Sequence, residues 1–118
     1  AMDEAAKDQP APHNWLIARA TCPKCRYSGD LVTAFKFGEC ALRVYRLGDQ
    51  VRWGGKEEGT RTDSRVWVRA FAESCPNCGE EFLEFAARVE RNQFMALQPV
   101  ADASIWRGRN WVLGDMLR

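Results

Sequence analysis

Two short cysteine pairs limit this chain more than anything else in it. Cys22-Pro23-Lys24-Cys25 stands near the start, and Cys75-Pro76-Asn77-Cys78-Gly79 lies well downstream. With two residues between its thiols, one tight turn aims both sulfurs of a pair at one point. Two such turns supply the four thiolates that a tetrahedral metal ion takes. The spacing therefore predicts that two segments roughly fifty residues apart meet at one metal site, inside a small β-rich domain.

Zinc suits that donor set. Iron in the same shell and a pair of redox-active dithiols are the competing readings. A redox pair normally opens a helix, whose N-terminus lowers the pKa of the attacking thiol. Both pairs here are flanked by strand-like sequence instead. Gly79 follows the second pair, where a positive φ closes the turn. Arg26 takes the same place in the first pair, at some backbone strain, and with Lys24 it can offset the negative charge of four thiolates around a divalent ion. Cys22, Pro23, Cys25, Cys75, Pro76, Cys78 and Gly79 together resemble the knuckles of a zinc ribbon of the rubredoxin-like type, over about half the chain. Rubredoxins usually have glycine at the position of Arg26, and this departure counts against an iron electron carrier. The resemblance implies a β-hairpin fold element around a structural Zn²⁺, in a small bacterial-type zinc-ribbon module, and it leaves function open.

At 118 residues the chain is read as one domain with a tail at either end. Residues 1–14 form a flexible lead-in, 15–100 the zinc-ribbon β domain, and 101–118 a Trp/Arg-rich tail or short helix. Met2 is read as the natural start, with Ala1 added ahead of it. No apolar run approaches the roughly 18 residues of a membrane span, and the acidic N-terminus has no apolar core of a secretory signal. Five cysteines in such a chain point to a reducing compartment, the cytoplasm, where paired cysteines bind metal more often than they form disulfides.

Between the pairs, hydrophobic alternation predicts strands. Residues 15–20 are short and apolar. In 31–37, Leu31, Thr33, Phe35 and Phe37 share a face. Over 41–47, Leu42 and Val44 oppose Arg43, Tyr45 and Leu47, and Val51 and Trp53 alternate beyond. Residues 54–64 read as a charged, glycine-punctuated loop. In 65–72, Val66, Val68, Ala70 and Ala72 oppose Arg65, Trp67, Arg69 and Phe71. Residues 80–91 fit a helix through Phe82, Phe85, Ala86 and Val89, and a strand through Leu83, Phe85, Ala87 and Val89. Strand is preferred, because Arg91-Asn92-Gln93 then turns a hairpin into 94–97, which Pro99 ends. From Asp102 onward a short helix is expected, capped by Asp102 or Ser104, with Ile105, Arg109, Val112 and Met116 at helical spacing. The fold class is thus mainly β: a small antiparallel zinc-ribbon sheet with a four-cysteine site and a short C-terminal helix.

A closed four-cysteine shell has no open coordination position for a substrate. His13, the only histidine, reads as an exposed loop residue, and Cys40, the fifth cysteine, as a small buried hydrophobe. Glu80, Glu81 and Glu84 read as a solvated face. No phosphate-binding loop or catalytic triad is visible, and the chain is not expected to be an enzyme.

Two stretches remain as candidate binding surfaces. One holds Arg43, Arg46, Arg52, Lys56, Arg61, Arg65 and Arg69, interleaved with Tyr45, Trp53, Trp67 and Phe71. Such a face can hold single-stranded nucleic acid or anchor a protein. Asp49, Glu57, Glu58 and Asp63 dilute its charge, and the net charge of the chain is only +1. The other is the tail with Trp106 and Trp111 beside Arg107 and Arg109, expected to pack on the domain itself or on a second copy in a homodimer. The reading that results is a non-enzymatic zinc-ribbon module that binds another protein, as an adaptor or an inhibitor or immunity-type protein. The alternative is a nucleic-acid-binding ribbon that uses Arg43, Arg46, Arg65, Arg69 and Trp67.

Overall fold

The computed structural model describes residues 13–114. The expected lead-in up to residue 12, and Met116 with the rest of 115–118, lie outside the described residues. The chain runs β1 (Asn14–Thr21), β2 (Ser28–Phe35), β3 (Gly38–Glu39), β4 (Val44–Arg46), β5 (Glu57–Glu58), β6 (Val66–Ser74), β7 (Glu81–Glu90), β8 (Gln93–Pro99), a 3-10 turn (Ala103–Trp106) and β9 (Trp111–Leu113). No helix among the described residues is long and apolar enough to cross a membrane. The mainly β reading holds.

One sheet has the order β4-β1-β2-β6-β7-β8, with β9 added beside the first half of β6. All its pairings are antiparallel except β1 with β4. The sheet curls until β1 lies against β8. Residues 48–51 then bridge the remaining gap: Gly48 and Val51 donate backbone N–H bonds to the carbonyls of Phe94 and Asn92, each at 2.8 Å. A separate two-stranded ribbon, β3 with β5, runs through the expected loop at 54–64.

The alternation seen in sequence puts the core inside this curl. Leu16, Leu31, Thr33, Phe35, Val66, Val68, Ala70, Leu83, Phe85 and Val89 all point inward and are buried. Residues 80–91 are strand. The chain reverses between β7 and β8 through Arg91 and Asn92, both at positive φ (51° and 65°), the geometry of a tight two-residue hairpin turn.

The expected strand over 41–47 shortens to β4. Leu42 adopts φ +56° ahead of it, so the period-two pattern does not begin until Val44. The expected C-terminal helix is a single 3-10 turn. Asp102 caps it by accepting the Ser104 N–H at 2.9 Å, a bond that lowers the pKa of its carboxyl. Arg107 and Gly108, at φ +51° and +75°, then end it, and the rest extends as β9 along β6. Pairing Val112 opposite Trp67 satisfies more backbone than a short isolated helix with two glycines would. The turn lays Trp106, fully buried, over Trp67, Ala86 and Val112 on the outside of the sheet. The tail therefore packs on its own domain.

Candidate metal centre

The two knuckles repeat each other bond for bond. In the first, the Cys22 N–H donates to Tyr27 O at 2.8 Å, Arg26 N–H to Cys22 O at 2.9 Å, and Lys24 N–H to Cys22 Sγ at 3.4 Å. In the second, Cys75 N–H donates to Glu80 O at 2.9 Å, Gly79 N–H to Cys75 O at 2.9 Å, and Asn77 N–H to Cys75 Sγ at 3.4 Å. The residue closing each turn has positive φ: +66° at Arg26 and +74° at Gly79. Arginine thus takes up the left-handed conformation expected of glycine, at a strain of about 1–2 kcal/mol.

β1 ends in the first knuckle and β2 leaves it; β6 ends in the second and β7 leaves it. Because β2 and β6 are sheet neighbours, the two turns meet at one end of the sheet. All four sulfurs lie within 4.8 Å of one another, with Cys22 and Cys78 at 3.9 Å and Cys25 and Cys75 at 3.7 Å. Four sulfurs about 2.3 Å from a central ion, in a tetrahedron, stand about 3.8 Å apart. The donors present therefore fit a four-thiolate metal ion.

Electrostatics favours the same outcome. The Asn77 amide donates to Cys25 Sγ across the two knuckles at 3.3 Å and, with a backbone bond at Tyr27, lowers the Cys25 thiol to about 6. The Glu80 backbone bond pulls Cys78 down, but desolvation and the sulfurs of Cys25, Cys75 and Cys22 together push it up to about 12. A first negative charge is welcome here and a last one is not, because four thiolates at this separation repel. A divalent cation removes that conflict.

Comparison with family models, with characterised proteins and with solved structures returned no match.

Cys40 is buried away from the four-sulfur cluster, its thiol on Gly38 O at 3.6 Å and its pKa raised by burial. His13 is half-buried and stands edge-on to Trp15, at 4.8 Å between ring centres. Of the anticipated acidic face, Glu80 and Glu81 are exposed, while Glu84 accepts from Arg69.

The structure divides the candidate binding residues among several places. Arg43 pairs with Glu39 at 2.6 Å, Arg65 with Glu90 at 2.7 Å, and Arg69 with Glu84 at 2.7 Å while lying over the Phe71 ring. Tyr45 is a core residue, and Trp67 and Trp106 are buried together. Trp53 and Trp111 flank Phe37 at the edge of the core, and Arg46 is exposed.

Two asparagines matter more than the sequence reading allowed. Asn14, which that reading assigned to the lead-in, is fully buried at the start of β1. Its Nδ2 donates to Phe37 O and Glu39 O at 3.2 and 2.9 Å, and its Oδ1 accepts from Ala41 N and Arg43 N at 3.2 and 3.0 Å. One amide thus fixes the whole 37–43 segment. Asn92 accepts the Trp53 indole N–H at 2.7 Å and donates to Val51 O at 3.0 Å. Its place in the hairpin turn was legible; its grip on a segment some forty residues away was not.

Proposed function

We propose that this chain is a non-enzymatic β module, clamped by a structural zinc ion on Cys22, Cys25, Cys75 and Cys78, that binds another protein in an adaptor or inhibitor-type role. One observation carries the protein-binding part. Val44, Trp15, Ala34 and Phe71 are successive register partners across β4, β1, β2 and β6, so they form one row on the outside of the sheet. Ile17 and Val32 stand opposite each other in the next row. Val32 is 45% exposed and Val44 57%. Through residue 114 the tail covers the neighbouring outer face over Trp67 and Ala86, with the Arg69–Glu84 pair at the border. A contiguous apolar sheet face of this kind, rimmed by charge, is what protein-binding surfaces offer.

Zinc is favoured by the all-sulfur donor set and by Arg26 where an iron carrier usually has glycine. The closed shell supports a structural rather than a catalytic ion. The nucleic-acid alternative is weakened, because three of its four arginines are paired, Arg43 with Glu39, Arg65 with Glu90 and Arg69 with Glu84, and its tryptophan, Trp67, is buried.

Affinity capture from the native host tests the reading, comparing wild type with Val32→Glu and Phe71→Glu and measuring metal content on each. A protein retained by wild type and lost from both variants, at equal zinc content, supports it. The same captured set on all three sinks it.

A further inference from the structure

At the end of the sheet away from the cysteines lies a cleft of about 750 Å³, within the range of small-molecule sites. Its floor is held by internal bonds. The Tyr45 hydroxyl accepts the Arg52 N–H at 3.1 Å, and Asn92 ties down both the Trp53 indole and the Val51 carbonyl. Those polar groups are occupied with one another. The free hydrogen-bonding capacity of the cleft therefore lies in its walls.

Three arginines line it: Arg43, Arg52 and Arg61. Arg43 is held by Glu39 through Nε at 3.0 Å and Nη2 at 2.6 Å. Arg52 and Arg61 have no ion pair among the described residues. The single carboxylate lining the cleft, Asp49, accepts the Arg46 backbone N–H at 2.8 Å. In the linear sequence Glu57, Glu58 and Asp63 dilute this cationic stretch, but none of them lines the cleft: β5 carries the two glutamates into the ribbon with β3. Folding thus separates positive from negative and concentrates the positive side in a concave space.

Unpaired guanidinium groups beside a floor held by internal bonds suit phosphate oxygens, which match the planar fork of donors. Trp53, half-buried in the same cleft, adds an aromatic surface next to them, the combination on which nucleobases are held. An acidic peptide would need open backbone or apolar pockets beside the arginines, and here the backbone N–H of Arg52 and the carbonyl of Val51 are already bonded.

We propose that this cleft binds a nucleotide phosphate, with Arg52 and Arg61 on its oxygens and Trp53 beside its base. Both a free nucleotide and one unit of a single strand carry that chemistry. The site is independent of the sheet-face reading, since Val32→Glu should leave it intact.

The test uses the full chain with its metal content verified. The probes are inorganic phosphate and AMP by calorimetry, and a labelled twelve-residue oligothymidylate by anisotropy, at about 50 and 300 mM salt. The expected result is binding of AMP or the oligonucleotide at the lower salt, weakened roughly tenfold or more in Arg52→Ala/Arg61→Ala and within about twofold of wild type in Arg107→Ala/Arg109→Ala. Arg52→Lys, which keeps the charge but loses the fork, should fall between. AMP binding tighter than the strand assigns a free nucleotide; the reverse, with a salt slope reduced by about one per arginine removed, assigns a single strand. No binding of any probe at the lower salt overturns the proposal. So does undiminished binding by the double variant, or displacement of the nucleotide by polyglutamate as readily as by unlabelled nucleotide.

Discussion

The thiol end and the arginine end of the sheet are separated by the length of β1, about 23 Å for its eight residues. At the thiol end every sulfur comes from a turn of a few residues, and the bonds that shape each turn join residues within five positions; the Asn77 amide on Cys25 Sγ is the bond that crosses between the turns. At the arginine end no local motif exists. Asn14 orders residues 37–43, Asn92 orders 51–53, and the bridge at 48–51 brings both to one place. The first end is a locally encoded device that needs the fold only to bring two copies together. The second is made by the fold itself. The two ends should therefore fail independently, and each perturbation below asks whether they do.

The largest effect is expected from the thiol end. Structural zinc in small domains supplies about 10–16 kcal/mol of apparent binding energy at neutral pH, as much as the entire stability of most domains at about 5–15 kcal/mol. Cys25→Ser and Cys78→Ser should therefore lose metal and cooperative unfolding together, read by elemental analysis and thermal melting. A serine variant that keeps full metal occupancy would falsify the four-ligand assignment.

Asn14→Ala comes next. It removes four hydrogen bonds to buried or half-buried backbone and should lower stability by about 3 kcal/mol in urea titration. Zinc content should not change. If zinc falls in step with stability, the ends are coupled and the comparison is wrong.

In the metal-free protein, pH should separate the thiols. The folded Cys25 thiol lies at about 6 against an ordinary 9.0. Its contribution to stability is then fully present above 9.0 and is lost as pH falls toward 6. Cys78, raised to about 12, behaves oppositely, and its contribution is lost as pH rises from 9.0 to 12. Limited alkylation followed by peptide mapping should find Cys25 modified ahead of Cys78 at pH 7. Zinc should protect both. Equal modification of Cys25 and Cys78 would contradict this electrostatic picture.

The smallest effect tests the asymmetry of the knuckles. Arg26→Gly should relieve the strain of a left-handed arginine and gain about 1 kcal/mol, whereas Gly79→Ala should lose a similar amount. A loss on Arg26→Gly would mean that the guanidinium contributes more to the charge balance of the site than the backbone strain costs.

The strands that alternate cleanly were legible, because a residue's face follows from parity alone: 31–37, 65–72 and 80–91 all put their expected apolar sets inside. Legibility failed where parity is broken or shared. Leu42 at positive φ cut short the strand expected over 41–47. Trp67 and Tyr45 were grouped with arginines on one outward face, yet Tyr45 points into the core and Trp67 lies under Trp106. Parity separates the two faces of a strand, but it does not say whether the outer face is covered. Here a tail some forty residues downstream covers part of it.

The sequence by itself determined the two cysteine knuckles and the mainly β class, because a two-residue spacing and a period of two are local properties of the chain. Only the tertiary structure decided that the tail covers Trp67, that Asn14 pins residues 37–43 and Asn92 residues 51–53, and that Arg52 and Arg61 share a cleft free of Glu57 and Glu58. Those outcomes depend on how a curled sheet closes, through contacts between segments as distant in the chain as β1 and β8, and no short window of sequence carries that information.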